Sequence, residues 1–222
     1  NMRETIPHQH AGQPGYLSVL NQNVVSVASL LKDSGYRTYV AGKWHVGKEP
    51  HNLPPARGFQ RSIVQGDSGS DNWETDKRYL MLTDKVYWYA DGKEVTLPKD
   101  FYSSQFYIDK TIEFIKADAT QNKPFFAYVA FQANHIPLQA PQSFIDKYKG
   151  KYKGGWDALR QARRDKAVEL GLIPKDAPLG KEPTMQDWNA LSEEEKRYQE
   201  RRMEVYAAMA EAMDHHVGRL IA

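Results

Sequence analysis

Val24-Val25-Ser26-Val27-Ala28-Ser29-Leu30-Leu31-Lys32-Asp33-Ser34-Gly35, followed at once by Tyr36-Arg37-Thr38-Tyr39-Val40-Ala41-Gly42-Lys43-Trp44-His45, decides the fold class. Apolar residues at 24, 27, 28 and 31 keep the helical period, and Gly35 stands where a left-handed helix cap belongs. Residues 36–41 are aromatic and β-branched, which suits a strand, and Gly42-Lys43-Trp44-His45 forms its tip. The order recurs farther on. Gln105–Ala117 carries Ile108, Ile112 and Ile115 along one helical face, and Phe125–Phe131 is a continuous apolar run of the kind buried on both faces in a parallel or mixed sheet. Pro137 and Pro141 follow and forbid further strand pairing. Two helix-strand units thus each deliver a histidine, His45 and His135, just past a strand's carboxyl end, the edge at which open α/β sheets hold ligands. The expected fold is α/β, a mixed sheet flanked by helices.

Between these units, Tyr87-Trp88-Tyr89, Asp91-Gly92 and Glu94-Val95-Thr96 predict a hairpin with a two-residue turn, read as a surface excursion. Residues 147–181 read as loops around a short helix near 156–170. Ser192 and Glu195 have the spacing of a capping box. The helix they open is expected to bury Tyr198, Arg202, Tyr206, Met209, Met213, Val217 and Leu220 along one stripe. That helix runs to the last residue without a cap signal and no first strand precedes the opening helix, so the sequence is expected to be a piece of a longer polypeptide.

Composition excludes several functions. With 30 Lys+Arg against 28 Asp+Glu, the net charge of +2 creates no field strong enough to recruit nucleic acid or an anionic membrane, so anion binding must be local. No apolar run approaches the ~20 residues of a membrane span. Cysteine is absent, which excludes disulfides, thiolate metal sites and a cysteine nucleophile within these residues and leaves the compartment open, bacterial periplasm or cytoplasm.

Lys43 and His45 form an i, i+2 pair, which in extended backbone projects to one side while Trp44 points to the other. Spacing alone favours a surface lysine and a hydrogen-bonded loop histidine. The surrounding string is more specific. Gly35-Tyr36-Arg37-Thr38-Tyr39-Val40-Ala41-Gly42-Lys43-Trp44-His45-Val46-Gly47 resembles the second signature of the sulfatase family. The resemblance continues through Pro55–Phe59, Leu97–Tyr102, Pro124-Phe125-Phe126, His135-x-Pro-Leu-Gln-Ala-Pro141 and Met213-Asp214-x-x-Val217-Gly218, and is nearest to bacterial arylsulfatases.

The resemblance implies an alkaline-phosphatase-like fold, of which residues 1–222 are the middle part of the catalytic domain, and hydrolysis of sulfate monoesters by the parent protein. It implies that Lys43 binds a sulfate oxygen, that His45 hydrogen-bonds a hydrated formylglycine nucleophile, and that His135 meets the sulfate near the leaving oxygen. It also implies calcium, with ligands outside these residues. The family's nucleophile arises from Cys or Ser in a Cys/Ser-x-Pro-x-Arg string, and here Pro55-Ala56-Arg57 has Leu53 in that place, a decoy. These residues alone are therefore expected to be inactive, with a small-molecule sulfate ester and the rest of the polypeptide as partners. Two alternatives remain open: a phosphate or phosphonate monoester hydrolase of the same fold, and an inactive anion-binding module.

Other candidates read as structural. His8-Gln9-His10 has no evident third metal ligand; His215 and His216 are adjacent on a helix and must diverge; Asp67, Asp71 and Asp76 fail the calcium-loop spacing. Lys147–Lys153 interleaves basic and aromatic residues and reads as a solvated loop rather than a single-strand-binding tract.

Overall fold

A computed structural model describes residues 19–79, 84–180 and 184–222, and shows two compact units. The first comprises residues up to Pro137 together with Met213–Ala222, and the second is Leu138–Ala212.

The first unit is built on a mixed sheet. Helix α1 (Val27–Asp33) leads into β1 (Arg37–Lys43), which pairs in parallel with β2 (Arg61–Gln65) and β5 (Phe125–Ala130). Strands β3 (Trp88–Ala90) and β4 (Lys93–Glu94) add on antiparallel, giving the order β4-β3-β2-β1-β5. Ser26 caps α1 by accepting the Ser29 N–H at 3.0 Å, so the helix starts three residues later than the apolar spacing suggests and leaves Val24 and Val25 exposed. It ends as expected: Gly35 sits at φ 92°, and the Tyr36 and Gly35 N–H groups close back on Leu31 and Lys32.

Because side chains alternate along a strand, β1 serves two cores. Tyr39 and Ala41 pack with Ile63, Trp88, Tyr107 and Phe114 on one face; Val40 packs with Ala28, Trp44, Leu53 and Val64 on the other. Helix α2 (Ser103–Asp118) covers the first face with Tyr107, Ile108, Thr111 and Phe114. The expected stripe was Ile108, Ile112 and Ile115, but the two large rings win the centre and leave Ile112 and Ile115 half-buried at its margins. The hairpin forms with Asp91 and Gly92 both at positive φ, yet it is no surface excursion. β3 joins the central sheet and buries Trp88 and Tyr89. Strand β5 departs from expectation in the other direction. It is an edge among the described residues, paired with β1 alone, so Phe125 and Tyr128 stand 51% and 49% exposed rather than buried on both faces.

In the second unit, α3 (Gln142–Ile145) precedes α4 (Gly155–Glu169), whose Trp156 meets Trp188 edge-on at 4.9 Å. The basic-aromatic tract is satisfied internally: Tyr148 and Tyr152 stack, Lys151 lies over Tyr148, and Lys147 pairs with Glu211. A groove of about 640 Å³ runs past Tyr152, Trp156, Arg163 and Tyr206, and none of the candidate catalytic residues lines it.

The final helix, α5 (Glu193–Ile221), opens on the expected capping box, with Ser192 N–H donating to Glu195 at 2.8 Å and Glu195 N–H returning to Ser192 Oγ at 3.2 Å. Its buried row is Glu204, Ala208, Met209, Ala212 and His216, while Tyr198 and Tyr206 are exposed. The reading by side-chain size missed that small Ala208 and Ala212 face inward, where a helix can approach its neighbours closely.

Candidate active site

Lys43 is the last residue of β1, and the sheet continues to guide the chain for one residue more. Trp44 N–H donates to Gln65 O at 2.7 Å, and its indole N–H to Asn52 O at 2.9 Å. With Trp44 buried edge-on against Phe59, alternation turns Lys43 and His45 together toward the opposite side, both half-buried. Gly42 makes this possible. It sits at φ 119°, and a Cβ there would lie 2.1 Å from the Ala130 carbonyl oxygen of β5.

His135 arrives on the loop after β5, which β1 pairs in parallel through Gly42 and Ala130. A buried polar network holds that loop. Gln132 accepts from Tyr107 Oη at 2.6 Å and donates to Ser70 Oγ at 3.0 Å; Asn72 donates to Pro137 O at 3.2 Å and accepts from Ser103 Oγ at 2.6 Å. His135 itself is exposed, and its Nδ1 lies 2.8 Å from Ile136 O. A carbonyl only accepts, so in this contact Nδ1 carries a proton.

Lys43 and His135 therefore both come close enough for their charges to act on His45. Burial pushes the His45 imidazole below its ordinary range, and Lys43 and His135 add to that as neighbouring positive groups. Burial also lowers the Lys43 ammonium. An arriving anion would add negative charge beside these groups.

One carboxylate opposes the trend. Asp67 lies 3.9 Å from His45 Nε2 and 3.0 Å from Lys48 Nζ. By sequence Asp67 is only one of three acids, with Asp71 and Asp76, that fail the calcium-loop spacing. Its signal lay in the parallel register: Lys43 pairs with Gln65, so the residues two further on, His45 and Asp67, run side by side. Asp71 instead caps a turn, accepting the Trp73 and Glu74 N–H groups. Buried Arg57 of the decoy string donates to Leu20 O and Asn52 Oδ1. His216 is buried beside Tyr102 while His215 is exposed, so the two do diverge. His8 and His10 lie outside the described residues.

Among the described residues, no group of three or more His, Cys, Asp or Glu side chains could hold a metal ion, so they do not by themselves fit the calcium that the resemblance implies.

The sulfatase family model matches residues 2–222. An uncharacterized sulfatase of Schizosaccharomyces pombe is 36% identical over 95% of this chain and 39% of its own length, and an arylsulfatase of Klebsiella aerogenes is 37% identical over 95% of this chain and 45% of its own. The chain thus spans less than half the length of either relative. A protein solved in complex with its substrate D-glucosamine-2-N,6-O-disulfate superposes over 99% of this chain and 51% of its own, with TM-score 0.55 at 20% identity, a likeness of fold. With a mixed sheet flanked by helices in the alkaline-phosphatase-like arrangement, and a family match over nearly its whole length, the chain belongs to the sulfatase family.

Proposed function

We propose that the full-length protein hydrolyses sulfate monoesters, with these 222 residues forming the middle of its catalytic domain and Lys43, His45 and His135 acting on the sulfate group. The observation that carries the reading is the meeting of these residues at the exits of two adjacent parallel strands, β1 and β5. Lys43 is suited to hold a non-bridging sulfate oxygen, where a fixed cation in a partly desolvated site stabilises charge in the transition state. His45, kept neutral by burial and by its positive neighbours, is suited to accept a proton from the nucleophile's hydroxyl. His135, whose Nδ1 is engaged by the Ile136 carbonyl, is suited to deliver a proton to the departing oxygen from its other ring nitrogen.

Sulfatases generally use formylglycine and calcium. We place both in the remainder of the polypeptide, which makes that remainder the partner on which activity depends. Formylglycine supplies the attacking oxygen when present. The arylsulfatase of K. aerogenes supports aryl sulfates as first substrates to try.

The test assays the full-length protein with 4-nitrophenyl sulfate and 4-nitrophenyl phosphate side by side, together with the Lys43→Ala variant. Turnover of the sulfate, lowered roughly 10²–10³-fold by the substitution, is the expected result. Turnover of the phosphate alone would move the protein to the phosphomonoesterases of this fold, and turnover of neither would leave an anion-binding module.

A further inference from the structure

We propose that Asp67 is a positioning residue for His45, its carboxylate clamped by Lys48 so that the second oxygen faces the imidazole. The catalytic part of this proposal rests on the sulfatase reading above; the pairing itself does not.

The geometry comes from two strand exits. Asp67 follows β2 by two residues as His45 follows β1, and the parallel register sets them next to each other. Oδ2 is taken by Lys48 Nζ at 3.0 Å, and Oδ1 stands 3.9 Å from His45 Nε2, an ion-pair separation rather than a hydrogen bond. Lys48 is itself fixed: its ammonium lies 4.3 Å from the centre of the Tyr87 ring, whose hydroxyl donates to Asp84 at 2.8 Å. Asp67 is mostly buried, so this charge acts in a medium that screens it less than water does.

The groups facing His45 are Lys43 from β1, His135 from the loop after β5, and Asp67 from the loop after β2. The first two and burial disfavour a proton on His45, and Asp67 alone favours one. A base must accept a proton in the transition state. In a cluster of positive groups the resulting imidazolium needs an adjacent counter-charge, and Asp67 supplies it. The carboxylate also gives the ring a preferred direction for Nε2. Asp67 touches neither nucleophile nor sulfate on this reading, and it acts through His45.

The experiment uses the full-length protein, Asp67→Asn and Asp67→Glu. The titration of His45 is followed by NMR, its resonance identified by its loss in His45→Gln. Removing the negative charge lowers proton affinity, so the His45 midpoint in Asp67→Asn is expected to move about one pH unit to lower pH, while Asp67→Glu stays near the parent. In parallel, kcat/KM for 4-nitrophenyl sulfate is expected to fall ~10-fold in Asp67→Asn, at the low end for acid-base catalysis, with the acid limb displaced the same way and partial rescue in Asp67→Glu. An unchanged His45 midpoint in Asp67→Asn would overturn the proposal even if the enzyme cleaves sulfates. A displaced midpoint in a protein that cleaves no sulfate would uphold the pairing and sink the functional reading instead.

Discussion

The exits of β1 and β5 bring a histidine to the same edge by different means. At β1 the sheet does the placing: Trp44 keeps its backbone bond to β2 and buries its indole, so Lys43 and His45 inherit the strand's alternation and a half-buried setting. At β5 the backbone ladder stops at Ala130, and His135 comes five residues later on a loop held by side chains, Gln132 at one end and Asn72 reaching Pro137 at the other. The first exit therefore fixes burial and protonation together. The second leaves its histidine exposed, as would suit the role proposed for it at the leaving group.

The sharpest way to test that division is by leaving group. In the full-length protein, His135→Ala is expected to cost an alkyl sulfate about 10²–10⁴-fold in kcat/KM, because an alkoxide leaves only with a proton, and to cost 4-nitrophenyl sulfate far less. Lys43→Ala should lower both substrates together by roughly 10²–10³-fold, since its partner is a sulfate oxygen common to each. Equal losses for the two substrates in His135→Ala would argue that His135 only binds sulfate, and the leaving-group role would move to a residue outside this chain.

A smaller effect probes how the exits are joined. Gly42→Ala forces a Cβ to within 2.1 Å of the Ala130 oxygen and places a side chain at φ 119°. Neither strand can yield without breaking the β1–β5 ladder, so a loss of roughly 3 kcal/mol is expected in urea denaturation of the full-length protein. Wild-type stability for this variant would mean that the two strands are not held as closely as the register requires.

How far the sequence announced these exits follows from the same contrast. The β1 exit was legible because its rules are local: a capped helix, a β-branched run, and an i, i+2 pair with a tryptophan between. That β5 would carry His135 was legible too, from the apolar run and the prolines. What holds His135 was not, because Gln132, Ser70, Asn72 and Tyr107 are brought together only by tertiary structure. Asp67 escaped for a related reason, since its meaning depends on which strand β1 takes as neighbour. The exposed rings of β5 and the inward alanines of α5 show the limit of hydrophobic pattern, which gives the period of an element and not the depth at which each face is buried.

The smallest expected effect separates the exits most cleanly. Tyr107 is fully buried in α2, and its hydroxyl donates to Gln132 Oε1 at 2.6 Å; burial raises its phenol far above the ordinary range, so it remains a donor at any working pH. Tyr107→Phe keeps the ring in the core and removes only that donor. Gln132 still donates to Ser70, but its buried oxygen loses its partner, at a cost of about 1–2 kcal/mol measurable by denaturation. Nothing at the β1 exit depends on this bond, so the His45 titration should stay where it is. The β5 exit should loosen, and with it the aim of His135. Kinetically the variant should then resemble a faint His135→Ala, slowing an alkyl sulfate more than 4-nitrophenyl sulfate. The decisive comparison is the double variant. If Tyr107 acts on catalysis through the loop, Tyr107→Phe should add no further leaving-group discrimination in a His135→Ala background, the non-additivity expected of residues sharing one network. Full additivity of the two effects would mean that Gln132 holds the core and leaves His135 to position itself.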